Sequence, residues 1–274
     1  MTITHIEEST TEYTATKASI ESRIERGAGY SILKFNDYQP AKSIWPIVLK
    51  EFGKIFKLEK PTKECMKNIH QDLERGDLFS TLDTNTRTLK EEDSQQLLKT
   101  QWIHELTSEL GLGVVDSYDF GYPSFTWRIT RPNQKQDFRS LHRDVWFRLN
   151  TGGPEIFDNS RSSNLQRLSA WISLNTVADE SGLLIVPNSQ NSYEHNYESI
   201  LENGIRKPSI QKDRLDDIKA IYANTPEGSV AIWGQNFLHG GAPNISNECR
   251  ISLEFTLCSI QQDYYRTYES ILDH

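Results

Sequence analysis

Cysteine is scarce in this chain of 274 residues, which contains only Cys65, Cys249 and Cys258. The three are odd in number, far apart and without C-x-x-C spacing, so the sequence gives no sign of a disulfide framework or a structural zinc site. The N-terminal stretch MTITHIEESTTEYTATK is polar and lacks the apolar segment of a secretory signal. We therefore expect a protein of the reducing cytoplasm.

Long apolar runs and basic tracts are also missing. No run of about 18 apolar residues occurs, so we expect no membrane-spanning segment. The formal net charge is −8 and no basic cluster stands out, so a nucleic-acid backbone is not an expected partner. The length and a hydrophobic share of 36% fit one globular domain, residues 1–274, with a substantial core.

The pattern of the sequence changes near Tyr122. Residues 1–120 are mostly helical by periodicity, with helices predicted over residues 16–26 and 91–113 and in AKSIWPIVLKEFGKIFKL, where Pro46 kinks the helix or lies in its first turn. Residues 121–260 contain the short β-type runs SFTWRIT, LSAWISLNTV, GLLIVP, GSVAIWG and CRISLEFTLC, separated by turn residues. The sequence therefore predicts a mainly β sandwich or barrel with a helical N-terminal half.

One polar segment, residues 195–226, interrupts the β-type runs. Its composition predicts a partly helical insertion between two strands, and its length makes it a candidate lid.

Two tripeptides resemble protein-kinase signatures, His142-Arg143-Asp144 and Asp119-Phe120-Gly121. Their order is the reverse of the order in kinases, Leu149 stands where the magnesium-binding asparagine should be, and no Gly-rich loop precedes them. We set the kinase interpretation aside. The second tripeptide is more simply a turn before a strand.

His142 and Asp144 suggest a metal site instead. On a strand, residues i and i+2 point to one face, so an imidazole and a carboxylate would lie side by side. These are two of the three ligands in the 2-His-1-carboxylate triad of non-haem Fe(II) oxygenases. His239 follows a predicted strand beside two glycines and is the candidate third ligand.

Arg250 follows His239 by eleven residues, and Ser252 lies two residues further along the same predicted strand. A guanidinium beside a hydroxyl suits the carboxylate of a small ligand. Because apolar residues flank Arg250 in CRISLEF, we expect the arginine to face inward rather than to form a surface ion pair.

Taken together, this pattern and the stretch LSAWISLNTVADESGLLIVPNSQNSYEH resemble the Fe(II)/2-oxoglutarate-dependent dioxygenases. The likeness is greatest to the phytanoyl-CoA hydroxylase-like (PhyH) family and covers residues 124–259. It implies a double-stranded β-helix, or jelly roll (cupin-like), with dioxygen and a small molecule as substrates. It also implies that Fe(II) is bound by His142, Asp144 and His239, and that Arg250, helped by Ser252, holds the distal carboxylate of 2-oxoglutarate.

The resemblance assigns further roles. Trp171 matches a family tryptophan near the cosubstrate, and Thr126 or Arg128 is the candidate for an early-strand residue that assists 2-oxoglutarate. Because related halogenases have a small residue in place of the ligand aspartate, Asp144 favours hydroxylation or a similar oxidation. The long interval between Asp144 and His239 implies two insertions, at residues 151–166 and after His195.

The substrate is predicted only as a class. Arginines gather around the first iron-binding segment, which favours a polar or anionic substrate; they are Arg131, Arg139, Arg143, Arg148 and Arg161. Three aromatic residues are candidates for lining its pocket, namely Trp146, Phe147 and Trp233.

Two other functions use the same residues. A cupin-like isomerase would bind a metal through these ligands without 2-oxoglutarate, but the Arg250-x-Ser252 pair counts against it. A non-catalytic jelly-roll binding module would contain ordinary histidines, and it would keep its ligand when His142 or Asp144 is replaced.

Overall fold

The computed structural model describes residues 3–5, 13–35, 40–72, 74–118, 120–137, 140–150, 167–191, 197–202, 205–210 and 218–259. The helices there are α1 (Lys17–Glu25), α2 (Pro40–Phe56), α3 (Lys63–Asn68), α4 (Thr84–Arg87), α5 (Glu91–Leu98), α6 (Gln101–Leu110) and α7 (Asp144–Asn150). The strands are β1 (Ile3–His5), β2 (Tyr13–Thr14), β3 (Tyr30–Phe35), β4 (Leu112–Val114), β5 (Thr126–Thr130), β6 (Arg167–Asn175), β7 (Leu183–Ile185), β8 (Tyr197–Glu202), β9 (Ile205–Ile210), β10 (Ile221–Ala223), β11 (Val230–Gly234), β12 (His239–Gly241) and β13 (Arg250–Ser259). Among these helices, none combines the length and the hydrophobicity that crossing a membrane requires.

The helix predicted over residues 91–113 is two helices, α5 and α6. The backbone of Thr100 is extended, with φ −75° and ψ 146°, and its hydroxyl donates to the carbonyl of Leu97 at 2.6 Å. A threonine that bonds to the backbone in this way competes with helical hydrogen bonding, which accounts for the break. Gly111 ends α6, since its φ of +67° is left-handed and favours glycine.

Pro46 lies inside α2 rather than in its first turn, because the helix already begins at Pro40. Proline cannot donate the hydrogen bond to the carbonyl four residues earlier. Pro46 and Lys42 are both exposed, so that carbonyl lies on the solvent side of the helix. The opposite side of α2 packs into the core through Ile44, Val48 and Phe52.

The strands form a jelly roll, as expected. The larger sheet has the order β2-β1-β3-β11-β6-β13-β4, with β5 also paired to β13, and the smaller sheet has the order β10-β7-β12. Every pair is antiparallel. One apolar cluster contains Trp171 and Trp233 of the larger sheet and Ile185 of the smaller one, and so joins the two sheets.

The two faces of β6 differ in composition, and this difference positions the site. Ile172 and Leu174 belong to the large core that the sheet shares with α1, α2 and α6. Ser169 and Trp171 alternate with them and therefore face the other way, toward the smaller sheet. Ser169 and Trp171 thus face the interior of the jelly roll between the two sheets, while the helices cover the opposite face.

The segment 195–226 contains strands where it is described, so the prediction of a partly helical insertion was wrong for that part. Strands β8 and β9 pair as a hairpin, and β10 joins the smaller sheet. Asn-Gly at residues 203–204 is a strong hairpin signal in the sequence. The backbone N–H of Ile210 donates to Leu141 at 3.1 Å, which ties β9 to the residue before His142.

Phe120, Gly121 and Tyr122 lie in bends before β5, and Gly121 has a φ of +83°. These described residues agree with the predicted turn, whereas Asp119 lies outside the described residues.

Candidate active site

Three side chains predicted to bind metal converge in the interior of the jelly roll. The Nε2 atoms of His142 and His239 lie 3.7 Å and 3.6 Å from Oδ1 of Asp144. One ligand atom from each residue lies within 4.8 Å of the others, and both histidines are buried. This set of two imidazoles and one carboxylate suits Fe(II) with open coordination positions.

Backbone carbonyls fix the orientation of both imidazoles. Nδ1 of His142 lies 2.7 Å from the carbonyl of Ser140, and Nδ1 of His239 lies 3.0 Å from that of Phe237. A carbonyl only accepts, so Nδ1 must carry the proton in each ring. Nε2 then keeps its lone pair and faces Asp144, which is the tautomer that a metal ligand needs.

The His-x-Asp pair does not lie on one strand, so that part of the prediction was wrong. His142 forms a two-hydrogen-bond bridge with His239, at 2.8 Å and 3.0 Å, and Asp144 already opens α7. A carboxylate is favourable in the first turn of a helix, where the backbone N–H groups point toward it. The bridge, rather than a shared strand face, therefore brings the two histidines together.

The carboxylate of Asp144 is held from two sides. Ser169 donates to Oδ2 at 2.5 Å and the indole N–H of Trp233 at 3.3 Å, while Oδ1 faces the histidines. Burial raises the pKa of Asp144, but the two imidazoles and these two hydrogen bonds outweigh it, so the pKa is lower than usual. Asp144 therefore offers one charged oxygen to a metal while the protein holds the other.

Arg250 is buried at the start of β13. Its guanidinium donates to the carbonyl of Gly182 and, at 2.6 Å, to the hydroxyl of Thr130, and it lies 5.8 Å from the ring centre of Trp171. No carboxylate in the described part of the chain pairs with it, and its Nε has no hydrogen-bond partner there. Burial, together with the charge of Arg128, lowers its pKa to about 10.

A ligand carboxylate would satisfy the polar atoms that this region leaves unpaired. Within the described part of the chain the hydroxyl of Ser252 is also buried without a hydrogen-bond partner, and the regular pairing of β13 with β5 places it on the same face as Arg250. A buried cation without a counter-ion is costly, so an anionic ligand is favoured. The residues present thus fit the distal carboxylate of 2-oxoglutarate.

A single cavity of about 310 Å³ contains the triad and Arg250. Trp171 also lines it, as do Phe147 and Trp233 among the aromatic residues predicted for the pocket. Trp146 is buried in a separate apolar cluster with Leu141. The volume lies at the lower end for ligand pockets, which fits small molecules.

Thr126 and Arg128 make other contacts. The hydroxyl of Thr126 lies 3.1 Å from that of Thr88, and Thr126 does not line the cavity. Arg128 does line it, but its guanidinium forms a double hydrogen bond with Glu254, with Nε 2.6 Å from Oε2. Burial lowers the pKa of Arg128, but Glu254 more than offsets this and raises it.

Of the arginines predicted for an anionic substrate, the two whose side chains the structure describes, Arg131 and Arg143, do not line the cavity. Arg131 pairs with Asp137 at 2.7 Å, and buried Arg143 donates to the carbonyls of Ser189 and Asn236. Arg139 and Arg161 lie outside the described residues, as does the side chain of Arg148. Arg167, which was not predicted from the sequence, does line the cavity.

The comparisons with known proteins agree with this geometry. The family model described as phytanoyl-CoA dioxygenase (PhyH) matches residues 60–252, most of the chain. The fold is similar to AviO1 from Streptomyces viridochromogenes Tue57, at 12% identity over 91% of this chain and 97% of that one, with a TM-score of 0.51. It is also similar to EvdO2 from Micromonospora carbonacea var. aurantiaca, solved in complex with 2-oxoglutarate, at 13% identity over 94% and 93% of the two chains and a TM-score of 0.50. No curated protein matches the sequence significantly.

The family match covers the segments that carry all three candidate ligands and Arg250. It also sets aside the cupin-like isomerase and the non-catalytic binding module. The chain belongs to the phytanoyl-CoA dioxygenase (PhyH) family and is an Fe(II)/2-oxoglutarate-dependent dioxygenase.

Proposed function

We propose that this enzyme hydroxylates, or otherwise oxidises, an unactivated C–H bond of a small polar or anionic metabolite. One observation carries the proposal: the three ligand side chains share one small cavity with an arginine that has no carboxylate partner among the residues described. In this assignment His142, Asp144 and His239 hold Fe(II). Retention of the ligand aspartate favours hydroxylation over halogenation.

When bound, Fe(II) and 2-oxoglutarate supply the activation of dioxygen that C–H oxidation requires. The chain supplies the geometry. The carbonyls of Ser140 and Phe237 keep both imidazoles in the metal-binding tautomer. Ser169 and Trp233 keep the carboxylate of Asp144 from rotating.

Arg250 is assigned to the distal carboxylate of the cosubstrate, with Ser252 as a second donor. Thr130 and the carbonyl of Gly182 orient the guanidinium, and Trp171 lies against it. Because the side chain of Arg250 is buried, a charge-assisted pair there is stronger than at the surface. Thr126 acts only indirectly in this assignment, through the packing of β5 against Thr88.

We also propose that residues 1–274 form one domain that works in the cytoplasm without a nucleic-acid or membrane partner. One hydrophobic core includes side chains of the helices and of the larger sheet, which supports the single domain. The three cysteines are free thiols, which supports the reducing cytoplasm as the location. The net charge of −8 supports the proposal that no nucleic acid is a partner. Residues 195–226, which include the hairpin of β8 and β9, stay the candidate lid.

Release of succinate from 2-oxoglutarate tests the proposal. We expect the purified enzyme with Fe(II), 2-oxoglutarate and air to release succinate slowly, and faster when a substrate is present. His142→Ala should abolish release, whereas His104→Ala, at an exposed position of α6, should not. Release that needs no iron, or that survives His142→Ala, would contradict the proposal.

A further inference from the structure

Arg167 is the first residue of β6 and lines the same cavity as the metal ligands. Strand alternation places it on one face with Ser169 and Trp171. Each of those two residues contacts a different part of the site. Ser169 holds Asp144, and Trp171 lies against the guanidinium of Arg250.

The order along β6 puts Arg167 and Arg250 on opposite sides of the triad. From Ser169, the strand runs about 7 Å to Trp171 in one direction and about 7 Å to Arg167 in the other. Arg250 lies beyond the far end of the strand, since its neighbour Ile251 pairs with Asn175. With 2-oxoglutarate held toward Arg250, the Arg167 side of the triad is left for the substrate.

Arg167 also has no counter-ion in the described part of the chain. Besides Asp144, two carboxylates line the cavity, and each already has an arginine partner. Arg131 binds Asp137, and Arg128 binds Glu254. The Nε of Arg167 is buried and has no hydrogen-bond partner among the residues described. An unpaired guanidinium in a cavity favours an anion, which it can bind through two parallel hydrogen bonds.

Hydroxyl groups lie on the same side of the cavity. Thr256 pairs across the sheet with Ser169, and its hydroxyl accepts from Ser117 at 2.8 Å. Thr256 and Ser117 both line the cavity. A ligand that reaches Arg167 therefore meets a cation and neutral hydrogen-bonding groups beside it.

We infer that Arg167 binds an acidic group of the substrate, a carboxylate or a phosphate, and so holds the C–H bond to be oxidised near the metal. The inference rests on the proposed function and narrows its substrate to small acids. It makes Arg167 a specificity-determining residue, because a neutral analogue would leave its guanidinium without an anion and its buried Nε unsatisfied.

Binding of small acids to the Fe(II)/2-oxoglutarate complex tests the inference. Under anaerobic conditions, the complex is titrated with inorganic phosphate and with a panel of small carboxylates, small phosphate esters and their uncharged amides or alcohols. Binding is followed by the change in the visible absorption of iron-chelated 2-oxoglutarate. We expect acids to bind and their neutral counterparts not to, and the better of the two acid classes identifies the group.

Variants assign the effect to the residue. Arg167→Gln should weaken the binding of the tightest-binding acid by about 10-fold to 100-fold, because the charge-assisted pair is lost. Arg167→Lys should weaken it by less, because lysine keeps the charge. The affinity for 2-oxoglutarate should stay within about twofold, and Arg26→Gln, at an exposed position, should behave as the wild type.

The outcomes distinguish failure of the role of Arg167 from failure of the proposed function. If no acid binds better than its neutral counterpart, or if Arg167→Gln binds acids as well as the wild type, the inference is overturned. If the absorption of chelated 2-oxoglutarate does not appear in the wild type, the proposed function itself has failed.

Discussion

Replacing Ser169 by alanine should weaken iron binding although Ser169 does not belong to the triad. Its hydroxyl donates to Oδ2 of Asp144 at 2.5 Å, and Trp233 donates to the same oxygen at 3.3 Å. The variant removes the shorter of the two bonds. Asp144 is then less restrained, and its oxygen spends less time at the position that the metal requires.

The magnitude follows from the bond that is lost. A hydrogen bond to a charged group contributes about 1.5 to 3 kcal/mol, which corresponds to about 10-fold to 100-fold in affinity. Because Trp233 keeps one bond to the carboxylate, we expect the lower part of this range, about 10-fold to 30-fold weaker binding of Fe(II). The affinity for 2-oxoglutarate, measured at saturating iron, should change little.

Anaerobic titration with Fe(II) at saturating 2-oxoglutarate measures this effect. Ser173→Ala is the matched control: Ser173 lies on the same face of β6, but its hydroxyl bonds to Thr176 at 2.9 Å. The control should bind iron as the wild type does. Equal iron affinity in Ser169→Ala and the wild type, or an equal loss in both variants, would refute the role assigned to Ser169.

Three further predictions concern the cosubstrate, the sheet and the loop before His239. Arg250→Ala should weaken the binding of 2-oxoglutarate by about 10-fold to 100-fold and leave the affinity for iron unchanged, because only the contact with the distal carboxylate is lost; a change confined to iron binding would contradict this. Glu254→Ala should lower the free energy of unfolding in urea by about 3 kcal/mol, since it leaves Arg128 without its partner; an unchanged midpoint would mean that the pair contributes nothing. Gly29→Ala should lower the melting temperature, because Gly29 has φ +94° and a Cβ there would lie 2.6 Å from the Phe237 ring; an unchanged melting temperature would show that the loop gives way.

The metal ligands could be predicted from the sequence because residue type and order restrict them strongly. His142 and Asp144 are so close along the chain that either a strand or a strand end followed by a helix can bring their side chains together. The sequence pattern could not distinguish these two cases. What decides between them is the bridge between His142 and His239, a contact between segments almost one hundred residues apart.

Ser169 and Arg167 were missed for a different reason. Their roles depend on the register of β6 against β11 and β13, which determines what lies beside each residue in space. A signal was present, because RLSAWISLN alternates polar and apolar residues and Trp171 was already assigned to the site. Extending the two-residue period back from Trp171 leads to both residues.

The predicted elements fail mainly where a local hydrogen bond or a turn overrides the periodicity. Thr100 breaks a helix that the apolar spacing predicts as continuous, since its hydroxyl bonds to the backbone. The polar segment after His195 has an Asn-Gly pair in its sequence, a hairpin signal that the prediction did not use, and the described strands β8 and β9 on either side of it pair. By contrast, the five β-type runs of the C-terminal half are confirmed, because short runs of β-branched and aromatic residues bounded by turn residues are a strong strand signal.

Anaerobic titration of the metal-free enzyme with Fe(II) and 2-oxoglutarate is the decisive test of the metal and cosubstrate site. We expect a weak visible absorption from 2-oxoglutarate chelated to iron, absent in Asp144→Ala and requiring far more 2-oxoglutarate in Arg250→Ala. Iron binding without that absorption would contradict the role of the cosubstrate. No iron binding at all would contradict the assignment of His142, Asp144 and His239 as a metal site.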